Sequence, residues 1–440
     1  MSNVGSIFTG NVGASGLNRS GNVGRAYFDT YTYSLLFNSL LTGFSEILTT
    51  LGATYTRAGT KYNLQNSLFV AYGANAFGTN YDVSEATYGY YPELLATNLW
   101  TYSIDFSNAA WVKNLTAATN TGSPFSGGAS FSLTSLASNT QHFLRPSILA
   151  GSGVLSTFSF IVKANGLRYV SIGRVTTTST VQTWVFDLQD GDIFQTPTSP
   201  DYTNGKIVSL GGGWYRISVN VNSTTAAVRQ CCLYMLSNTP ATPVTNNNSN
   251  FLGDGVVGIL CAHAQLETGG RASSPIITVA STVTRAADVL SLPRSSLTQL
   301  LDSQYALIAD YRTDIAPTTE QALVRLTNTT TYGEFAELKR TATLAESKVN
   351  SSTFVQADIT VANTSFTRSK LGLSAQANNF IAAQDGVVIG TDVSGIMPIL
   401  PTVLEIGAFQ NVSQLNGHIY NLSIKNRALT QDQMVTETTL

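Results

Sequence analysis

Cys261 and His263 have the types that covalent chemistry would need, because a thiol and a base lie two positions apart in ILCAHAQLE. Side chains two apart on one strand diverge, so we interpret both residues as structural. The other histidines, His142 and His418, are distant in the sequence. None of the three has Cys, Asp or Glu at metal-ligand spacing, which argues against a zinc site.

Asp187, Asp190 and Asp192 in FDLQDGDIF are a candidate calcium site, because their carboxylates could gather oxygens around one ion. The same Asp-Gly pattern suits a hairpin turn between two strands, which is the simpler interpretation. The sequence contains no nucleophile elbow, phosphate loop or dinucleotide fingerprint. We therefore expect a protein that is not an enzyme and that has no cofactor.

Sugar binding needs an aromatic face beside a few polar groups, and two tryptophans are candidates for that role. Trp111 follows TNLWTYSIDFSNAA in a loop-like stretch, and Trp214 is out of phase with the apolar residues of the strand after it. The other two, Trp100 and Trp184, are in phase with core positions, so we interpret them as structural. Trp111 and Trp214 are the predicted ligand-binding residues.

Most of the chain alternates apolar and polar residues, which is the period of a half-buried strand. The alternation occurs at Trp100, Tyr102, Ile104 and Phe106; at Phe158, Phe160 and Val162; at Trp184, Phe186 and Leu188; at Tyr215, Ile217, Val219 and Val221; at Ala306 and Ile308; and at His418, Tyr420, Leu422 and Ile424. Turn clusters separate these runs: DGD at 190–192, TNG at 203–205 and GGG at 211–213. Many short strands without crossover helices predict β-sandwiches or jelly rolls.

The chain ends are predicted to differ from this pattern. Residues 1–25 repeat Gly, Asn, Ser and Val as an extended arm, and Phe37, Leu41, Phe44, Leu48 and Leu51 have the spacing of a helix over about 34–51. That helix packs on its own subunit or forms a trimeric seam. A second helix is expected from Ala428 to about Thr436.

The fold class expected is mostly β, with two jelly-roll or β-sandwich domains preceded by an extended arm and a short helix. Residues 1–52 form the attachment arm with its amphipathic helix, 53–290 the first sandwich, 291–304 a linker, and 305–440 the second sandwich.

Composition limits the classes of partner. Charged residues are 11% of the 440, the net charge is −2, and Ser, Thr and Asn are roughly 30%. No basic patch indicates nucleic acid binding, and no apolar run is long enough to insert into a membrane. Three cysteines and the absence of a secretory signal favour free thiols in a reducing cytoplasm.

A series of spaced motifs resembles a module of tailed-bacteriophage structural proteins, found in tail fibres, tailspikes and other virion appendages. The motifs are TYTRAGT (54–60), YDVSEATYGYYPELLATNLWTYSIDFSNAAWVK (81–113), FSFIVKANG (158–166), GGGWYRISV (211–219), AHAQLETG (262–269) and TVTRAADV (282–289). That module is similar to carbohydrate-binding jelly rolls. In the family, the run before TNL typically reads Gly-Leu-Leu-Ile-Glu, whereas this chain has YYPELL at 90–95.

The last domain resembles a concanavalin-like or laminin-G-like jelly roll. The resemblance rests on an Asp385-Gly386 hairpin turn, LEIGAF at 404–409 and LNGHIYNLSIKNRALTQDQM at 415–434. The tryptophan often found before that hairpin is absent, and no calcium ligands stand out.

The resemblance implies a virion protein that is made in the host cytoplasm. Its arm would dock into other virion proteins, its sandwiches would bind host-surface glycan, and it would be a homotrimer. Two alternatives stay open: a purely structural decoration, collar or baseplate protein, and a depolymerase tailspike. The depolymerase is the less favoured of these, because the sequence shows no long parallel β-helix repeat, the usual scaffold of such enzymes.

Overall fold

The fold is mostly β, as predicted, with one short α-helix in the part of the chain that the structure describes. The structure is a computed structural model. The described residues are 26–29, 32–36, 51–120, 122–146, 154–174, 183–197, 202–222, 231–245, 249–298, 300–314, 320–331, 333–363, 366–409 and 413–440. No helix in these ranges is both long and apolar enough to cross a membrane.

The chain divides into two compact units. Unit 1 consists of Met1–Ala58, Ala74–Leu94 and Ala286–Leu440, and unit 2 of Gly59–Gly73 and Leu95–Arg285. The sequence analysis predicted two consecutive sandwich domains, 53–290 and 305–440. The units interleave instead, because strands at 54–56 and 289–293 join the same sheet as the C-terminal strands. Residues 291–293 therefore continue a strand, where a linker was predicted.

Unit 1 is a β-sandwich with the following elements: β1 Ala26–Asp29, β2 Thr32–Leu36, β3 Thr54–Thr56, β6 Asn80–Asp82, β7 Thr87–Gly89, β24 Val289–Pro293, β25 Gln304–Thr313, β26 Gln321–Thr327, β27 Phe335–Arg340, β28 Leu344–Ser351, β29 Phe354–Ala362, β30 Ser369–Gln376, β31 Asn379–Gln384, β32 Val387–Asp392, β33 Val403–Ile406, β34 Gly417–Lys425 and the helix α1 Gln431–Thr438. Sheet A has the order β1-β2-β34-β25-β30-β31-β32, and sheet B has the order β29-β28-β27-β26-β33-β24-β3. All strand pairs are antiparallel. Leu307 and Leu373 of sheet A share one buried core with Leu326, Leu338 and Leu404 of sheet B.

Unit 2 is a second β-sandwich. Its strands are β4 Lys61–Gln65, β5 Leu68–Tyr72, β8 Ala96–Asn98, β9 Trp111–Lys113, β10 Thr116–Asn120, β11 Ser130–Thr134, β12 Asn139–Thr140, β13 His142–Pro146, β14 Ser156–Asn165, β15 Tyr169–Arg174, β16 Trp184–Asp187, β17 Asp192–Gln195, β18 Tyr202–Gly211, β19 Trp214–Val221, β20 Cys231–Met235, β21 Phe251–Leu252, β22 Gly258–Thr268 and β23 Val283–Arg285. The two large sheets run β10-β11-β22-β14-β19-β18 and β17-β16-β15-β20-β13-β9. Phe160 and Ile217 of one sheet meet Ile172 and Leu233 of the other in the core.

The aromatic stretch after residue 99 is a turn, and the strand predicted there is wrong. The strand ends at Asn98, whose side-chain oxygen accepts the backbone N–H of Trp100 at 3.1 Å. Tyr102 has φ of +54°, which a strand residue does not adopt. The side chain of Asp105 caps the next turn by accepting from the N–H of Ser107 at 3.1 Å. Short polar side chains thus replace strand pairing.

Two other local predictions also differ from the structure. Residues 34–36, the start of the predicted helix, belong to strand β2, and Leu51 lies in a turn. The rest of that helix, with Phe37, Leu41, Phe44 and Leu48, and the arm at 1–25 lie outside the described residues. The TNG at 203–205, predicted as a turn, lies inside β18, and the pairing of β18 with β19 is irregular at these residues.

The C-terminal helix is confirmed, although it begins at Gln431, three residues later than predicted. Thr430 and Gln433 form a reciprocal capping box: the Thr430 side chain accepts from the Gln433 N–H, and the Gln433 side chain accepts from the Thr430 N–H. The predicted hairpins at Gly191 and at Asp385-Gly386 are also present.

Candidate functional site

Trp111 is buried in the core of unit 2 and does not offer a face to a ligand. Its ring meets Trp100 edge-on at 5.5 Å and Phe106 at 5.2 Å between centroids. Its indole N–H donates to the carbonyl of Tyr102 at 2.9 Å. Only 2% of the residue is exposed, because the turn after β8 folds back over it.

Trp214 is the first residue of β19 and is 6% exposed. Glycines 211 to 213, which have positive φ angles, make the turn between β18 and β19. β19 then runs antiparallel to β18. The expectation that Trp111 and Trp214 form exposed platforms is therefore corrected: both side chains are buried in unit 2.

The three aspartates proposed for calcium do not converge on an empty site. Arg168 donates from Nε to Oδ2 of Asp187 at 2.7 Å, and its terminal nitrogen also bonds Asp187 and Asp190. Burial raises the pKa of the Asp187 carboxyl, but the Arg168 guanidinium and backbone N–H groups outweigh it and lower that pKa. Asp192 is exposed beyond the turn. The hairpin interpretation agrees with this geometry, in which the guanidinium of Arg168 pairs with the carboxylates of Asp187 and Asp190.

Cys261 and His263 lie on β22 with both side chains buried. The Cys261 thiol contacts the carbonyl oxygen of His263 at 3.9 Å, and His263 Nε2 lies 3.3 Å from the carbonyl of Ile276. Burial and nearby Arg216 lower the pKa of His263 to about 3, and burial raises the pKa of the Cys261 thiol. The three cysteines are free and buried, and the described residues contain no group of three metal-binding side chains.

A row of alternating charges crosses five neighbouring strands of sheet B. Register places Glu405 of β33 opposite Arg325 of β26, Arg325 opposite Glu337 of β27, Glu337 opposite Lys348 of β28, and Lys348 opposite Asp358 of β29. We call these five residues the charge ladder. Their neighbours along each strand, such as Ala336 and Leu338, point into the core, so the charge ladder lies on the opposite face of the sheet.

Ion pairs hold the charge ladder together. Arg325 Nε is 3.5 Å from Glu337 Oε2, and Lys348 Nζ is 3.1 Å from Asp358 Oδ2. Between these pairs, Lys339 Nζ reaches Glu337 at 3.1 Å, and Lys348 Nζ reaches Glu346 at 3.4 Å. Opposite charges facing each other across strands stabilise a sheet, so this alternation favours the observed register.

Lys339 is the most heavily bridged ammonium of this face. Besides Glu337 it contacts Glu320 at 2.8 Å and Glu346 at 3.2 Å. Burial lowers the pKa of Lys339, but the three carboxylates outweigh burial and raise it. Burial raises the pKa of Glu337, even though Lys339 and Arg325 act against it. Because Lys339 is shared among three carboxylates, it does not fully offset the effect of burial on the pKa of Glu337.

The guanidinium of Arg325 lies over two aromatic rings, 4.0 Å from the centroid of Phe335 and 5.4 Å from that of Phe409. Such stacking fixes the plane of the guanidinium while its edge stays available for hydrogen bonds. The accessible end of the charge ladder lies at β29: the Asp358 side chain is 37% exposed and that of Lys348 20%, whereas those of Arg325 and Glu337 are 10% and 4%. The face offers fixed donors and acceptors without a large net field.

The sequence analysis missed these residues, although a signal existed. In a chain with 11% charged residues, FAELKR at 335–340 and LAESKV at 344–349 place an acid and a base two positions apart. That spacing puts both charges on one face of a strand. Two such strands in succession indicate paired charged rows.

A second polar cluster in unit 1 fastens the β6–β7 hairpin to sheet A. The Asp82 carboxylate accepts from the Tyr420 hydroxyl at 2.6 Å and lies 2.9 Å from Arg312 Nε and 3.3 Å from His418 Nδ1. Its other oxygen accepts from the backbone N–H of Ser84 at 2.9 Å. All these partners are within the fold, so we interpret the cluster as an anchor.

No family model and no curated protein matches this sequence. Among solved structures, the CBM40 of Ruminococcus gnavus IT-sialidase bound to α2,3-sialyllactose is 15% identical, with a TM-score of 0.29 over 33% of this chain and 86% of that chain. Domain 4 of the Geobacillus stearothermophilus arabinanase AbnA, in complex with arabinotriose, is 13% identical, with a TM-score of 0.28 over 35% and 73%. The receptor-binding domain of botulinum neurotoxin mosaic serotype C/D is 6% identical, with a TM-score of 0.27 over 34% and 39%. TM-scores this low establish neither a family nor a ligand for the chain.

Proposed function

We propose that this protein is a virion component of a tailed bacteriophage that binds glycan on the host surface and has no catalytic activity. The observation that carries the glycan proposal is the charge ladder of unit 1. The motif series at 54–60, 81–113 and 211–219 supports the assignment to a virion appendage. On this proposal the arm at 1–25 docks into other virion proteins, and the protein assembles as a homotrimer.

The chemistry of the charge ladder suits a neutral polyhydroxylated ligand. Sugar hydroxyls are donors and acceptors at once, so they can bridge an ammonium and a carboxylate that are already paired. Alternating signs leave little net field, which disfavours a strongly charged ligand. Lys348 and Asp358 are the accessible members, and Glu346, whose side chain is only 9% exposed, pairs with Lys348 and orients its ammonium.

A glycan array tests the proposal, using the full chain and the variant with Lys348→Met and Glu346→Gln. The control carries Lys425→Met and Glu437→Gln, which removes an ion pair of 2.7 Å between β34 and α1 by the same substitutions. We expect glycan binding by the wild type and the control, and at least a tenfold loss in the Lys348/Glu346 variant, corresponding to one or two hydrogen bonds to charged groups.

Equal glycan binding by both variants would place the ligand elsewhere. Absence of glycan and host-cell binding in the wild type would favour the second candidate, a purely structural virion protein. The burial of Trp111 and Trp214 favours that candidate, because neither side chain is left as an aromatic platform. Its own test is a pull-down of virion proteins by the full chain.

A further inference from the structure

Strand β29 is an edge of sheet B in the described part of the chain, since it pairs with β28 on one side only. Its first residues are covered: the N–H of Ile396 donates to the Gln356 side chain at 3.1 Å, and Gly395 lies close against the carbonyl of Gln356. In the described part of the chain, the backbone of residues 358–362 bonds only to β28, although the Ile359 side chain packs against Gly390 of β32. Asp358, Thr360 and Ala362 are exposed.

The irregular pairing of β29 with β28 at Gln356 lies at the covered end, and residues 358–362 carry neither of two common features that prevent strand addition, lysine and proline. Edges that avoid strand addition are commonly short, or carry lysine or proline. β29 has nine residues, FVQADITVA, with neither lysine nor proline. Apolar side chains are also exposed at the start of β29 and on the adjoining loop. Their exposed fractions are 71% for Phe354, 53% for Val355, 51% for Ile396 and 78% for Val393. An added segment would bury part of this surface.

The alternation of signs in the charge ladder predicts the type of residue that an added strand would place opposite Asp358. Its signs run acid, base, acid, base, acid from Glu405 to Asp358, and the last acid lies on the edge strand. Lys348 is the one ionic partner of Asp358 among the described residues. A sixth strand would therefore continue the alternation with a base opposite Asp358.

We propose that the edge at 358–362 binds an extended segment of another protein, by strand addition, with Lys or Arg opposite Asp358 and apolar residues against Val355 and Ile396. A second copy of this chain is the less suitable occupant of the same edge. Its β29 contains no base, and symmetric pairing centred on Asp358 would bring two carboxylates together. The proposal does not rest on glycan binding, although Asp358 is common to both sites.

Fluorescence anisotropy with short synthetic peptides tests this site on the full chain. One labelled peptide alternates Thr and Val around a central Lys, a second has Glu at that position, and a third is the Lys peptide with alternate backbone nitrogens methylated. We expect the Lys peptide to bind roughly tenfold more tightly than the Glu peptide, and the methylated peptide not to bind, because it lacks the donors for strand pairing.

Two variants assign the preference to Asp358. Asp358→Asn is expected to bind the Lys and Glu peptides equally, and Asp358→Lys is expected to prefer the Glu peptide. Melting temperatures of both variants check that they are folded, and the Asn variant suffices if the Lys variant is not. Equal binding of the methylated peptide, an unchanged preference in the Asn variant, or no binding by any peptide up to about 1 mM would each overturn the proposal.

Discussion

Tyr420 donates its hydroxyl hydrogen to the carboxylate of Asp82 at 2.6 Å, although the two residues are 338 positions apart in the sequence. The bond joins the β6–β7 hairpin to the penultimate element of the chain. Asp82 is 2% exposed, so its charge depends on the partners that surround it.

Replacing Asp82 by Ala is expected to destabilise unit 1 by about 3 kcal/mol, because it removes one partner of a buried ionic cluster. Tyr420→Phe removes one hydrogen bond and leaves Arg312 beside the carboxylate, so it should cost about 1 kcal/mol. Urea unfolding followed by far-UV circular dichroism measures both, and tryptophan fluorescence reports unit 2 separately, because all four tryptophans lie in that unit. Equal costs would mean that the carboxylate is not the centre of the cluster.

The Asp82 cluster also predicts a pH dependence. Burial raises the pKa of the Asp82 carboxyl, but His418, the Tyr420 hydroxyl and Arg312 outweigh burial and lower the pKa from its ordinary value of 3.8. A carboxyl whose pKa is lower in the folded state contributes stability above its unfolded pKa, and that stability is lost as the pH falls through the folded pKa.

We therefore expect the wild type to lose more stability than Asp82→Asn when the pH is lowered from about 5 to about 2.5. Urea midpoints at each pH measure the difference. Parallel curves for the two proteins would contradict a lowered pKa at Asp82.

The ion pair between Lys339 and Glu337, beside the charge ladder, predicts coupling between these two residues. Lys339→Met should cost about 3 kcal/mol, since it leaves two nearly buried carboxylates, those of Glu337 and Glu346, with less compensation. Glu337→Gln should cost less in the Lys339→Met protein than in the wild type, with a coupling of about 1–2 kcal/mol. A double-mutant cycle of unfolding free energies measures it. Additive effects would mean that the 3.1 Å contact contributes no net stability.

Trp111→Ala is expected to destabilise unit 2 by about 3–5 kcal/mol, through a cavity beside Trp100 and Phe106. Trp111→Phe should cost less, because a ring still fills part of the site. Phe354→Ala is the matched control on an exposed aromatic residue and should stay within about 0.5 kcal/mol of the wild type. A stable Trp111→Ala protein would contradict the packing described for this side chain.

Local patterns predicted much of the secondary structure. Alternation at Phe158, Phe160 and Val162 predicted a strand that is now seen as β14. The Asp385-Gly386 pair predicted a hairpin turn, and in the structure both residues of that turn have positive φ. The same rule failed after Asn98, since alternation does not distinguish a strand from a turn whose polar side chains bond their own backbone.

Local patterns indicate charged rows on single strands, but the alignment of those rows into the charge ladder depends on information that no local pattern contains. Arg325, Glu337 and Asp358 come from separate strands, and only the register between those strands brings them into one row. The interleaved units were missed for a similar reason: residues 74–94 look continuous with the sandwich that follows, yet their partners lie beyond residue 285.

That interleaving sets an order of events during protein synthesis. Unit 2 is contained in residues 59–285, so it can fold before residues 286–440 are translated. Asp82 is made before unit 2 is complete, but Arg312, His418 and Tyr420 are made only after it. The β6–β7 hairpin must therefore wait as an unanchored segment until β34 leaves the ribosome, so the synthesis of β34 decides when unit 1 becomes stable.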